Sequence, residues 1–501
     1  LAALLLPSCG APRPSGPIHL TILHTNDIHG KYRDTPATWK DGNPPIGGFA
    51  NLSAYVERER ARGGRTLLLD GGDLMTGNPI CDIEYNGVQG GAMIEFMNRM
   101  RYDAMALGNH EFDSGLATLY GLLGLAKFPV LSANVDRPEG GLFTGKSHVV
   151  LDVDGLRVGV IGLTTEHLYS VASRSALAGT HVRPAAEAAR AIVAEIDAKA
   201  DLIVLVTHIG VDGDKALARQ VPGIDVIVGG HSHTRLTEPV VENGVIIVQA
   251  GAHGRNLGQL QLTVENDAVT AHTGQLIELW PLEGGKPEIQ SFASGFTAQI
   301  DREYGQVIGR LATPWRREGA GESNVGNWIC DRVREHTGAD VAAYNSGGIR
   351  KDVKAGPVTR LDVVELLPFE NFIATFECTG ADLLKMAQKN AEAAVGESSG
   401  ILQLSGIRYA YAAGSEGAMV SDVSVGGKPV DPAATYTFAT VDFVIGNGER
   451  YLGFVPQEPQ VSSMLASTLI TKAITESTTA IDARLDGRIT KLPEAATGTG
   501  G

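Results

Sequence analysis

The sequence has 501 residues, enough for two or three domains that each bury their own core. Its apolar share of 43% is that of a soluble globular protein, and beyond the first residues no run is long and apolar enough to span a bilayer. With 42 basic against 57 acidic residues, the net charge of -15 argues against nucleic-acid polymers as partners, which demand a basic footprint. Small phosphate esters stay open, because bound divalent cations invert the local potential that a phosphate meets.

In chain order, the first feature is LAALLLPSC, an apolar run ending in Cys9. Because the chain starts at Leu1 rather than Met, the run reads as the remnant of an export signal. It resembles a bacterial lipobox, whose cysteine becomes the lipidated first residue of the mature protein, although Pro7 departs from that pattern. An ordinary secretory signal cut nearby is the alternative. Both readings predict an extracytoplasmic protein, periplasmic or at the cell surface, and the first adds membrane attachment through lipidated Cys9. Residues 11–17, APRPSGP, read as a flexible tether.

From 18 to 265, strand-like runs alternate with helical patterns. The runs are HLTILHTND (19–27), RTLLLDGGD (65–73), DAMALGNHEFD (103–113), RVGVIGL (157–163), DLIVLVTHIG (201–210) and DVIVGGHSH (225–233). Amphipathic stretches such as FANLSAYVERERARG (49–63) and AAEAARAIVAEIDAKA (185–200) separate them. Near-continuous Val/Ile/Leu strands between helices predict an α/β fold with a buried sheet covered by helices on its faces. Residues 285–305 read as a connecting helix, followed by a second α/β unit over 306–490. That unit contains a helix at 324–338 capped by Gly338, a strand at 340–345 and a glycine turn from Ser346. The tail from 491 to 501 reads as disordered. Cys81, Cys330 and Cys378 show no metal-ligand spacing and read as small buried apolar residues, with one disulfide left open.

Polar residues cluster where the apolar runs end: Asp27, Asp73, Asn109, His208 and His231. Ligands of open α/β sheets bind beyond the carboxyl ends of the strands, so side chains far apart in sequence can converge there. With His29, His110 and His233 close by, carboxylate and imidazole donors together suit zinc, manganese or similar divalent ions. Asp73 follows two glycines that allow close backbone approach, and one carboxylate can bridge two cations. Asn109 supplies a neutral oxygen.

The segments NDIHG (26–30), GGD (71–73), GNHEFD (108–113), THIG (207–210) and GGHSH (229–233) resemble the calcineurin-like metallophosphoesterase signature in order and spacing. LHTNDIHG and GNHEFD resemble its 5′-nucleotidase branch, and the resemblance covers roughly 18–490. It implies a metallophosphoesterase sandwich of sheets flanked by helices over 18–284, a linker helix at 285–305, and a second α/β, nucleotide-binding domain over 306–490. Residues 1–17 are then signal remnant and tether. The resemblance assigns Asp27, His29, Asp73 and His233 to one divalent ion, and Asp73, Asn109, His208 and His231 to the other. It makes His110 the catalytic histidine, oriented by Asp113, in attack of a metal-activated hydroxide on the phosphoryl group of a nucleoside 5′-monophosphate.

In the second domain, YNSGGIR (344–350) resembles the family's phosphate- and ribose-reading turn, with Arg350 offering a planar fork to phosphate oxygens. Phe369 and Phe443 read as core by composition alone; the resemblance makes them the rings that sandwich the nucleobase. Asn447 and Glu449 follow Phe443 as base or ribose contacts, and Asn371 is a weaker candidate. The family usually carries an arginine shortly before the helix at 324–338, where this sequence has GAGES (319–323); Arg316 or Arg317 could replace it, and if neither does, terminal-phosphate binding is weaker and a substrate other than a simple monophosphate comes into play. Nucleotide-sugar or cyclic-nucleotide hydrolysis, a sulfur-ester hydrolase on the same scaffold, and a non-catalytic nucleotide-binding protein are the competing readings. The oligomeric state stays open.

Overall fold

The structure is a computed structural model that describes residues 16–493 except 38, 173–176, 397–399 and 415–416. The expected signal remnant with Cys9, most of the tether and most of the tail lie outside the described residues. The chain divides into two compact units, Leu1–Thr76 with Ile80–Thr297, and Gly77–Pro79 with Ala298–Gly501.

The first unit's main strands are β1 (Ile18–Thr25), β2 (Arg65–Asp70), β3 (Ala104–Ala106), β4 (Val130–Leu131), β5 (His148–Val153), β6 (Leu156–Thr164), β7 (Leu202–His208), β8 (Val226–Val228), β9 (Val240–Glu242), β10 (Val245–Val248), β11 (Asn256–Glu265) and β12 (Ala268–Glu278). They form two six-stranded sheets, ordered β12-β11-β1-β2-β3-β4 and β5-β6-β7-β8-β10-β9. β1 to β4 are parallel neighbours, as are β6, β7, β8 and β10. The apolar pattern by itself predicts a helix-covered sheet; the strands split between two, as the sandwich implied by the resemblance requires.

The reason lies in the burial pattern. Along β7, Leu202, Val204 and Val206 join Leu20, Ile22, Leu67 and Leu69 in a core between the sheets. Ile203 and Leu205 point the other way, into a second core with Ala189, Val193 and Ile196 of helix α1 (Ala185–Ile196) and Leu217 of α2 (Val211–Gln220). Both faces are apolar, so the run is continuous and carries no alternation to reveal which sheet it joins.

The helix expected at 285–305 is α3 (Pro287–Tyr304), and the boundary between the units falls within it. The second unit places β13 (Val341–Asn345), β14 (Phe372–Thr379), β15 (Leu402–Ser405), β16 (Thr435–Val441) and β17 (Gln460–Leu465) in one sheet, ordered β15-β13-β16-β14-β17. Helix α4 (Asn324–Thr337) starts at Ser323, whose hydroxyl accepts the Gly326 N–H at 3.0 Å, and stops at Gly338, whose φ of 69° and N–H to Arg334 make the left-handed cap. Cys81, Cys330 and Cys378 are buried free thiols. Among the described residues, no helix is long and apolar enough to cross a membrane.

Candidate active site

The carboxyl ends of β1, β2, β3, β7 and β8 supply the donors. Asp27 and His29 follow β1, Asp73 follows β2, Asn109 and His110 follow β3, His208 ends β7, and His231 and His233 follow β8. The two sheets bring them together: His208 Nδ1 donates to the Gly71 carbonyl at 2.7 Å, joining the end of β7 to the turn after β2. Ligand atoms of Asp27, His29 and His233 lie within 4.8 Å of one another, as do those of Asp73, His208 and His231, and those of His29, Asp73 and His110.

The donor orientation suits cations. A carbonyl oxygen only accepts, so Nδ1 of His208 carries a proton toward Gly71, and Nδ1 of His29 carries one toward Met75 at 3.2 Å. Their Nε2 atoms turn inward, as imidazole ligands with backbone partners on the far nitrogen do. His29 Nε2 stands 3.0 Å from His233 Nε2, and His208 Nε2 stands 3.2 Å from Asn109 Oδ1. Asp27 Oδ2 takes the N–H of His231 at 3.0 Å, while Oδ1 lies 3.3 Å from His233 Nε2. Asp73 Oδ1 takes the N–H of His110 at 2.8 Å, while Oδ2 lies 3.0 Å from His208 Nε2 and 4.0 Å from His29 Nε2. Inward-facing imidazole nitrogens converge with carboxylate oxygens, so the cluster gathers positive charge, as protons on the rings or as a bound cation.

The proton equilibria carry the same sign. Burial would raise the Asp73 carboxyl, but the imidazoles of His208, His110 and His29 outweigh it and hold it well below the ordinary range. Burial disfavours charge on His208, yet Asp73 and Asp27 push it up to about 10, whereas burial and the nearby His208 push His231 down to about 4. The field that retains a proton on His208 would retain a divalent ion instead, with release of that proton. The set of carboxylate, imidazole and amide oxygen donors therefore fits divalent ions of the zinc or manganese kind.

The backbone here is strained. Asp27, His29, Asp73, His231 and His233 all have positive φ, between 50° and 76°. Such conformations persist where the surroundings over-determine them, and they gather at functional sites. Glu111, whose place in GNHEFD signals no role of its own, does part of that work. Its buried carboxylate accepts the N–H of Leu74 at 2.8 Å, Met75 at 3.2 Å, Asp73 at 3.2 Å and Gly108 at 2.8 Å, so it clamps the turn after β2 to the turn after β3. Gly72 completes the fit, since a Cβ there would stand 2.9 Å from Gly108 N and His208 Nδ1. His110 Nδ1 donates to Asp113 Oδ2 at 2.6 Å, leaving its Nε2 3.8 Å from Asp73 Oδ2.

In the second unit, β13 runs parallel to β16, and β14 antiparallel to it. The end of β13, the end of β16 and the start of β14 therefore share one sheet edge. Arg350 follows β13, Phe443 lies in the first turn of helix α5 (Asp442–Gly446) after β16, and Phe369 precedes β14. The Arg350 guanidinium lies 5.8 Å from the Phe369 ring centre. Phe443 rests against Tyr451, with ring centres 6.0 Å apart, and the core beneath. Asn447 is buried and its amide donates to the Phe443 carbonyl at 2.9 Å; Glu449 is exposed. Asn371 is buried too, its amide 3.4 Å from the Tyr344 hydroxyl.

Residues 20–235 match the calcineurin-like phosphoesterase family and residues 306–455 match the 5′-nucleotidase C-terminal domain. A 5′-nucleotidase of Vibrio vulnificus (strain CMCP6) is 30% identical, over 92% of this chain and 91% of that protein. The chain belongs to the 5′-nucleotidase family. The structure of a 5′-nucleotidase precursor from Thermus thermophilus superimposes with a TM-score of 0.86 at 31% identity, covering 95% of this chain and 99% of that one. The Thermus thermophilus sulfate thiohydrolase SoxB shares the fold, with a TM-score of 0.78 at 18% identity over 94% and 96% of the two chains. The protein is thus a metal-dependent hydrolase of the 5′-nucleotidase family, with an α/β sandwich unit and a second α/β unit.

Against the 5′-nucleotidase pattern, Arg316 and Arg317 are exposed and both engage Asp352. Arg317 Nε and backbone N–H donate to Oδ1 at 3.3 and 3.0 Å, and the Arg316 guanidinium lies 3.5 Å from Oδ2. This carboxylate holds both arginines to the segment that carries Arg350, two residues earlier in the chain.

Proposed function

We propose that the protein removes phosphate from nucleoside 5′-monophosphates outside the cytoplasm, at a centre of two divalent ions, zinc, manganese or similar. Asp73 carries the proposal: one carboxylate oxygen stands 3.0 Å from His208 Nε2 and 4.0 Å from His29 Nε2, so a single side chain joins both donor groups. Asp27, His29, Asp73 and His233 would hold one ion; Asp73, Asn109, His208 and His231 would hold the other. Such a pair, when bound, supplies positive charge to a transferring phosphoryl group and acidifies water near neutral pH.

The chain's own groups do the rest. In the displacement, a water oxygen bonds to phosphorus as the bond from phosphorus to the nucleoside 5′ oxygen breaks, yielding nucleoside and inorganic phosphate. In its imidazolium form, with Nδ1–H given to Asp113, His110 also carries a proton at Nε2; this proton goes to the departing 5′ oxygen or bonds a phosphoryl oxygen, and the proton released by the attacking water restores the ring. Arg350 reads phosphate, Phe369 and Phe443 stack on the base, and Asn447 and Glu449 contact base or ribose. The names of the relatives support the substrate class, and the apolar run ending in Cys9 supports export with lipid attachment.

The test is hydrolysis of AMP, UMP, UDP-glucose and cyclic AMP by the purified protein, before and after chelation, with manganese, zinc, cobalt or magnesium restored. The monophosphates should be hydrolysed fastest and only with metal. Activity that survives chelation overturns the metal centre, and preference for UDP-glucose or cyclic AMP overturns the substrate.

A further inference from the structure

Thr76 adopts a backbone conformation that its own side chain disfavours. Its φ is 66°, in the left-handed region that β-branched residues rarely enter and glycine occupies freely. The hydroxyl gives a reason for the choice. It donates to Asp113 Oδ2 at 2.7 Å, the same oxygen that accepts from His110 Nδ1 at 2.6 Å.

The two donors reach that oxygen from different turns. His110 and Asp113 belong to the turn after β3, whereas Thr76 belongs to the turn after β2 that carries Asp73. The residues just before Thr76 are held in turn, because the N–H groups of Leu74 and Met75 donate to Glu111 Oε1 at 2.8 and 3.2 Å. Thr76 is therefore a fixed point. A carboxylate bonded only to His110 could rotate with the imidazole, and a second donor on a separate anchor removes that freedom.

We infer that Thr76 is a positioning residue for phosphoryl transfer, its hydroxyl fixing Asp113 and, through it, the direction of His110 Nε2. This rests on the function proposed above. The residue touches no substrate in this reading, so its removal should lower turnover while leaving substrate binding and metal content in place.

Three variants separate the contributions. Thr76→Val keeps the branched shape and deletes the hydroxyl, Thr76→Ser keeps the hydroxyl, and Thr76→Gly removes both hydroxyl and strain. kcat and KM for AMP, bound metal and Tm are measured for each. Thr76→Val should lose about ten- to a hundredfold in kcat, with KM and metal content within about twofold of the parent. Thr76→Ser should recover kcat to within about threefold. Thr76→Gly should match or exceed the parental Tm while losing as much kcat as Thr76→Val, a divergence that a merely structural role would not produce. In an Asp113→Ala background, Thr76→Val should add no further loss. Parental kcat in Thr76→Val or Thr76→Gly, equal impairment of Thr76→Ser, or an undiminished loss in the Asp113→Ala background would each overturn the inference. A parent protein inactive on AMP would instead sink the substrate reading before any variant is compared.

Discussion

Replacing His110 with alanine separates a proton-holding residue from a metal ligand. The Nδ1 atom is committed to Asp113 at 2.6 Å, and only Nε2 faces the donor cluster, 3.8 Å from Asp73 Oδ2. Without this ring, Asp27, His29 and His233 still form one group, and Asp73, His208 and His231 the other. The backbone N–H of residue 110, which orients Asp73 Oδ1 at 2.8 Å, survives the substitution. Metal affinity should therefore persist. A positioned acid or base contributes about 10² to 10⁴ in rate, equivalent to roughly 3–5 kcal/mol of barrier. The expected result is a kcat loss of about two to four orders of magnitude on saturating AMP, with metal content of the desalted protein, read by mass spectrometry, unchanged. Loss of metal in proportion to activity would make His110 a ligand, and undiminished kcat would remove it from the chemistry.

In the proposed two-ion centre, Asp73→Asn should lower the content of both ions, since one carboxylate oxygen lies near both donor groups; metal content close to the parent's would refute the shared role. Asp225 is raised by burial to about 6 from 3.8, so the fold favours its protonated form. The stability that this preference contributes is complete below pH 3.8 and is lost as pH rises through 6. Asp225→Asn can still accept the Ile203 N–H, and should gain on the parent between pH 4 and 7 by up to about 3 kcal/mol in urea unfolding; a gap independent of pH would contradict this. Arg488 is 9% exposed and bonds Asp331 at 2.8 and 3.0 Å, Asp486 at 2.8 Å and the Leu404 carbonyl at 2.7 Å. Arg488→Ala should cost about 3 kcal/mol, the low end for a broken buried pair because both carboxylates keep some solvent; a change below about 1 kcal/mol in denaturant unfolding would show that water replaces it.

Much of the donor set was legible in the sequence. Parallel strands deliver their loops to one rim, so an Asp, Asn or His at the end of each apolar run marks the centre before any fold is known. The helix at Asn324–Thr337 announced itself through Ser323 and Gly338, whose capping chemistry is local. The family resemblance implies a sandwich of sheets, but the apolar pattern alone does not reveal the division, because strands such as Leu202–His208 are apolar on both faces. Nor were the parts played by Glu111 and Thr76 legible: GNHEFD includes the glutamate, but its bonds to the N–H groups of Asp73, Leu74, Met75 and Gly108 leave no periodic trace. Arg316 and Arg317 could be named as substitutes for a missing arginine, yet their attachment to Asp352 emerges only once the chain folds back. The sequence by itself thus determined which chemical groups gather at the strand ends, since residue type and strand period are local properties. Tertiary structure alone decided which way each nitrogen and oxygen points, because that depends on backbone partners from distant turns and on strained conformations that those partners hold in place.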